Sequence, residues 1–274
     1  EYLQEMKGSV AGLKIILAEG NIAHGRHAAI AAASHDMIVA TDAGCVYDPE
    51  WLKNLTAALK ENSWSATAFG PWLSAGDGLV VYAFAAATIP ARREFARDWQ
   101  PSSRSVAFWR KIWQNAGGYP EWIPYCEDVI FDRMIEKQIG RPAYIREPLV
   151  YWRPRLTLAS YIRQLYNYTR SEGHGGLNPE RQAIRYAAYF SAIILVILWI
   201  KLSILWLAVM LVGAVAYMWK FWRRWLEFTK KKNILFRLLG FPLVPLAVLI
   251  GDIGKMAGYP VGVFERIIRR VHIV

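Results

Sequence analysis

Two acidic turns carry the residues of this sequence best placed to do chemistry. One is Asp42 in Thr41-Asp42-Ala43-Gly44, and the other is Glu127-Asp128 after Cys126, about eighty residues further on. A carboxylate at the end of a strand can ligate a hard cation that bridges a diphosphate, or accept hydrogen bonds from a ribose. A pair of acids opening a helix sits on the positive end of its dipole and can take a proton from an attacking hydroxyl. Asp-x-Gly is also an ordinary turn, and acids in a first helical turn need no function, so each motif alone leaves a purely structural reading open. The flank Gly117-Gly118-Tyr119-Pro120-Glu121-Trp122 adds a flexible glycine turn and aromatic rings, a combination suited to holding a sugar face beside a base.

These turns need elements to hold them. Leu13 to Leu17 reads as a short strand, Ala28 to Ser34 as helix, and Asp36 to Ala40 as a buried strand ending at the Asp42 turn. Pro49 to Lys60 reads as a helix with Asp48 as N-cap and Pro49 in its first position. Leu79 to Ala87 fits strand or helix, and Val106 to Gln114 runs up to Gly117-Gly118, with Trp109 and Trp113 at the spacing of one packed helix face. Glu127 to Lys137 is a helix closed near Gly140, and Ala143 to Ile145 and Leu149 to Tyr151 are short strands. Strands alternating with helices predict a mainly parallel sheet. His24, His27 and His35 match no closed metal site and read as polar surface or supporting groups, and Cys45 and Cys126 as reduced packing thiols.

Composition divides the chain. Residues 1–182 carry 20 basic and 19 acidic side chains, whereas residues 183–274 carry 13 basic and 3 acidic, so nearly all of the net charge of +11 lies in an apolar tail rich in Trp. Continuous hydrophobic runs make lipid the partner of that charge and exclude nucleic acid. From Ala183 to Trp219 the run is broken by Arg185 and Lys201 alone, twice the length that one span of about 20 residues needs, which predicts a helical hairpin turning at Lys201-Leu202-Ser203. Basic residues flank both outer ends, placing them on the cytoplasmic side by the positive-inside rule. A third run, Ile234 to Gly251, holds Arg237, Pro242 and Pro245, and a crossing there would put Lys255, Arg266, Arg269 and Arg270 outside. The stretch 234–270 is therefore expected to be re-entrant or interfacial. The tail tryptophans lie near the ends of the expected spans, as interface anchors do.

Several segments, in order and spacing, resemble a family 2 glycosyltransferase of the GT-A fold, of the membrane-anchored bacterial type that builds exopolysaccharide or lipid-linked glycans. They are Gly20-Asn21 with Gly25-Arg26, Ile38-Val39-Ala40-Thr41-Asp42-Ala43-Gly44 into Asp48-Pro49-Glu50-Trp51-Leu52, the Gly117-Gly118-Tyr119-Pro120 turn, and Glu127-Asp128-Val129-Ile130-Phe131. The resemblance implies an α/β, Rossmann-like mixed sheet over residues 1–175 and a membrane-anchoring region of transmembrane or interfacial helices over 176–274. It implies Asp128 as general base with Glu127 beside it. Asn21, Arg26, Asp42, Gly44, Gly117 and Gly118 would lie on the donor side, and Trp122, Arg163, Gln164 and Arg170 on the acceptor side. Asp42 would be the protein ligand of a divalent cation, Mg2+ or Mn2+, and the donor a nucleotide-sugar.

Three departures qualify the resemblance. Gly44 stands where the family's Asp-x-Asp motif has its second acid, which leaves metal dependence open. The processive Gln-x-x-Arg-Trp motif reads Gln164-Leu165-Tyr166-Asn167-Tyr168 here, so single transfers are expected. The family's opening strand is expected to lie before Glu1. The function implied is inverting transfer of one sugar to a lipid-linked or polysaccharide acceptor at the cytoplasmic face of a bacterial inner membrane. Two alternatives stand beside it: a non-catalytic membrane scaffold with a degenerate GT-A domain, and a polyprenyl-phosphate glycosyltransferase with a basic acceptor pocket, in which Arg153, Arg155 and Arg163 would converge on Asp128.

Overall fold

A computed structural model describes residues 5–6, 9–94 and 100–269; Glu1 and Arg270 lie outside them. The elements are α1 (Ile22–Ala32), β1 (Met37–Thr41), β2 (Cys45–Tyr47), α2 (Trp51–Glu61), β3 (Trp64–Pro71) and α3 (Leu79–Thr88). They continue with β4 (Ser105–Trp109), α4 (Arg110–Asn115), α5 (Glu127–Ile139), β5 (Ala143–Trp152), α6 (Leu158–His174), α7 (Pro179–Lys201), α8 (Leu205–Phe228), α9 (Ile234–Gly240) and α10 (Leu243–Arg269).

The five strands form one mixed sheet in the order β1-β4-β3-β5-β2. Among the described strands only β3 and β5 pair in parallel; the other three pairings are antiparallel, which corrects the expectation of a mainly parallel sheet. The two strands read separately at Ala143 and Leu149 are one long β5, whose ladder to β3 slips in register around Thr67 and Ala68. Helices cover both faces, so the central strands have no solvent-facing side, and β3 is buried from Trp64 to Gly70 with its Ser65 and Thr67 hydroxyls hydrogen-bonded inside. On β4, Val106 and Phe108 pack under α1 and α5 with Phe131 and Ile135, while Ala107 faces Trp51, Leu55 and Leu59 of α2.

Three local expectations change. Leu13–Leu17 is irregular, and Leu17 is 94% exposed: the run pairs with none of the described strands, although β1 at the sheet edge has one side unpaired. Asp48 caps the turn ahead of α2, its Oδ1 accepting from Glu50 N at 2.9 Å, and the helix itself begins at Trp51. Trp109 closes a strand and Trp113 lies in α4, so the two do not share a helix face.

α7 and α8 form the expected hairpin, with its turn at Leu202–Ile204 and large apolar side chains such as Ile193, Ile197, Val209 and Val212 exposed along it. Among the described residues three helical stretches are long and apolar enough to cross a membrane, the third being 234–268, in which α9 leads into α10. α10 runs lengthwise against α6 along a glycine seam. A Cβ on Gly258 would stand 2.3 Å from the Tyr166 carbonyl oxygen, and one on Gly173 would stand 2.3 Å from that of Tyr259, so backbone lies on backbone as in small-residue helix pairs of membranes. Trp225, Phe221, Tyr161, Phe84 and Val248 join α8 and α10 to α3 and α6 in one core.

Candidate active site

Four stretches of chain meet at the end of β1. Asp42 follows the strand, and the next turn requires Gly44, whose φ of +81° strains any L side chain. The missing second acid is thus matched to the backbone. α5 begins at Cys126, which holds φ +64°, a conformation that costs a non-glycine residue of order 1–3 kcal/mol and presents Glu127 and Asp128 inward. α1 brings Arg26 between the two acidic turns. One guanidinium nitrogen lies 2.6 Å from Asp42 Oδ1, and the other is bonded to Glu127 Oε1. The same guanidinium stacks over Tyr119 at 5.1 Å.

The loop before β4 supplies the fourth part. Asp128 Oδ2 accepts from Ser102 Oγ at 3.1 Å and from Ser103 N at 3.3 Å. Arg104 donates to Ser102 Oγ at 2.9 Å and stands 3.8 Å from Asp42 Oδ2, its guanidinium 4.4 Å over the Trp152 ring. One turn below Asp128, Asp132 is fully buried, and neither carboxylate oxygen has a hydrogen-bond partner among the described residues. Burial first, then the charge of Asp128, pushes the Asp132 carboxyl well above the carboxylate range. The same two causes push Glu127 up to about 7 against the opposing pull of Arg26.

Asp42, Glu127, Asp128 and Arg26 are therefore gathered into one cluster. Asn21 borders it but spends its amide internally: it caps α1 by accepting from Ala23 N at 3.0 Å and donates to the Glu121 carbonyl at 2.7 Å and that of Ile123 at 3.1 Å. Gly117 and Gly118 both have positive φ, and a Cβ on Gly118 would sit 2.2 Å from the His27 ring. The turn thereby seats Tyr119 in the core, where its hydroxyl meets Ser103 Oγ at 2.9 Å. Of the acceptor-side residues, Gln164 is buried and lines a polar cavity of about 390 Å3 at the foot of the hairpin. Trp122 packs its edge on His174, Arg163 is exposed, and Arg170 is tied to Glu265 at 3.0 Å. Arg153 does not turn towards Asp128; it forms a paired contact with Asp77, 2.6 Å at Oδ1.

Sequence reasoning missed Ser102, Ser103, Arg104 and Asp132. Asp132 carried one signal, its position four residues after Asp128 on the same helix face. The loop residues carried none, because their approach depends on β4 pairing beside β1.

The cluster does not fit a protein-held divalent cation. Among the described residues no group of three His, Cys, Asp or Glu side chains is arranged to hold a metal. Asp42 is instead flanked by two guanidiniums. What the arrangement offers is one carboxylate held by hydroxyl and amide donors, beside two fixed cations able to meet a bound anion.

Neither a protein-family model nor a curated protein matches the sequence. Among solved structures, the chain is similar to the crystal structure of S. aureus TarS 1-349 in complex with UDP-GlcNAc, at 12% identity and a TM-score of 0.43, over 99% of this chain and 79% of that one.

Proposed function

We propose that this chain is an inverting glycosyltransferase that moves a single sugar from a nucleotide-diphospho-sugar to a lipid-linked or polysaccharide acceptor at the cytoplasmic face of a bacterial inner membrane. The observation that carries the reading is the convergence of Asp42, Glu127 and Asp128 around Arg26 and Arg104, on a domain whose tail is an apolar hairpin. Asp128 takes the proton of the acceptor hydroxyl as that oxygen attacks the anomeric carbon. The bond from that carbon to the diphosphate breaks on the opposite face, and configuration inverts. Ser102 and Ser103 aim the carboxylate, and the negative charge of the leaving diphosphate falls to Arg26 and Arg104. No step is assigned to a metal. The lengthwise contact of α10 with α6 favours an interfacial helix over a third span.

One observation favours the rival reading of a non-catalytic scaffold: Arg26 satisfies Asp42 and Glu127 together, so the cluster is stable without a ligand. Donor turnover separates the two. Membranes carrying the protein are assayed with UDP-, GDP- and TDP-sugars, with and without Mn2+, beside Asp128→Asn. Turnover of one donor that Asp128→Asn abolishes supports the transferase, and absence of both turnover and nucleotide binding supports the scaffold.

A further inference from the structure

The polar cavity at the foot of the hairpin is built from the first turns of α7, the second half of α8, the middles of α6 and α10, and Trp152 at the end of β5. Its charge does not balance internally. Five cations line it, Arg181, Arg185, Lys220, Arg224 and Lys255, against the carboxylates of Glu172 and Asp252. Arg224 is neutralised from outside the lining by a paired contact with Glu94 at 2.6 and 2.7 Å. Asp252 accepts from Arg185 and Lys255, each at 3.0 Å, and from the Tyr217 and Tyr189 hydroxyls at 2.7 and 3.1 Å. Glu172 accepts from Gln182 at 2.6 Å, with Arg181 at 3.7 Å. Three cations thus share two carboxylates, and the fourth, Lys220, makes no ion pair among the described residues; its ammonium rests 4.7 Å over the Phe221 ring.

Lys220 and Arg181 are exposed at the rim of this space, so they cost little there and are free to meet an incoming anion. The surroundings specify how that anion arrives. Beyond Arg185, α7 carries no charged residue until Lys201, and α8 carries none from Leu205 to Trp219, while the intervening side chains point outward as an apolar surface. The cavity therefore lies where a charged headgroup and an alkyl tail are met together. On its inner side Trp152 carries Arg104, which stands 3.8 Å from Asp42 and is joined through Ser102 to Asp128. We propose that this cavity holds the phosphate or diphosphate of a lipid that bears the acceptor, with the esterified group directed past Trp152 to the carboxylates. The role of acceptor rests on the transferase reading, whereas lipid-phosphate binding does not.

The test uses the full chain in phosphatidylcholine nanodiscs without donor, titrated calorimetrically with farnesyl diphosphate, farnesol and inorganic pyrophosphate. The expected result is saturable binding of farnesyl diphosphate, weaker binding of pyrophosphate and none of farnesol, with Lys220→Glu weakening farnesyl diphosphate by about tenfold or more and Lys220→Arg retaining it. Arg181→Glu, at the exposed rim, weakens it in the same sense. Unchanged affinity in both charge-reversed variants that keep the wild-type circular dichroism overturns the site, and pyrophosphate binding as tightly as farnesyl diphosphate overturns its assignment to lipid. A chain that binds farnesyl diphosphate but turns over no donor overturns the transferase reading alone; one that transfers sugar without binding it overturns this proposal alone.

Discussion

Arg26 lies 2.6 Å from Asp42, and its second nitrogen holds Glu127, so one guanidinium joins the strand-end turn to the start of α5. Glu127 is 4% exposed, and at a pH where its carboxyl is ionised, breaking the buried pair strands its charge, at about 3–5 kcal/mol. Arg26→Ala is expected to lower stability by that order in denaturant unfolding. The double variant Arg26→Met with Glu127→Gln recovers most of the loss, because no buried charge is left unpaired.

Glu127 also makes stability depend on pH. Its carboxyl is pushed up to about 7, whereas an unfolded Glu titrates near ~4.3. Between those values the folded chain keeps a proton that the unfolded chain has lost, so stability falls as pH rises through that window, by at most about 1.4 kcal/mol per pH unit, and levels off above it. Thermal unfolding from pH 4 to 8 checks the sign, and Glu127→Gln flattens the slope.

Asp128 and Asp132, one turn apart, should respond differently to amidation. Asp128→Asn removes the proposed base and is expected to cut donor turnover by about 10²–10⁴-fold while nucleotide retention persists. Burial favours the neutral form of Asp132, so Asp132→Asn is expected to change turnover by less than about tenfold and stability by about 1 kcal/mol or less. A loss at Asp132→Asn as large as at Asp128→Asn would mean that its charge is used.

Gly44→Asp restores an acid two residues after Asp42, but at φ +81° it is expected to cost about 1–2 kcal/mol. It should bring no Mn2+-dependent rise in melting temperature. Such a rise would show that the acid can reach a cation despite the Arg26 and Arg104 pairings.

The tail glycines separate seam from surface. A Cβ on Gly262 would stand 1.7 Å from the Arg170 carbonyl oxygen, so Gly262→Ala pushes α10 off α6 and is expected to cost about 3 kcal/mol or more. Gly213 in α8 has nothing within 4 Å of its would-be Cβ, and Gly213→Ala is expected to gain about 0.5–1 kcal/mol. Melting temperatures of the two variants in one detergent decide it.

The parts legible in the sequence were those fixed by local pattern. α5 was readable because its acidic first turn and Gly140 mark both ends, and the hairpin because its apolar run is broken by Arg185 and Lys201 alone and is twice a span's length. The sheet was not, because β4 separates β1 from β3 through pairings set by contacts distant in sequence. The same reason hid Arg104 and the two serines. Arg185 and Lys255 were read as markers of membrane orientation, yet both are paired with Asp252, 67 residues from Arg185, so their charges are partly spent inside the fold.

The glycine seam between α6 and α10 makes the pair mechanically one beam. Side chains can yield by changing rotamer, but carbonyls laid against glycine Cα atoms have nothing to yield with, so a tilt or shift of α10 carries α6 with it. Since α6 carries Gln164 and Tyr168 in the cavity wall, the placement of α10 sets the shape of that wall.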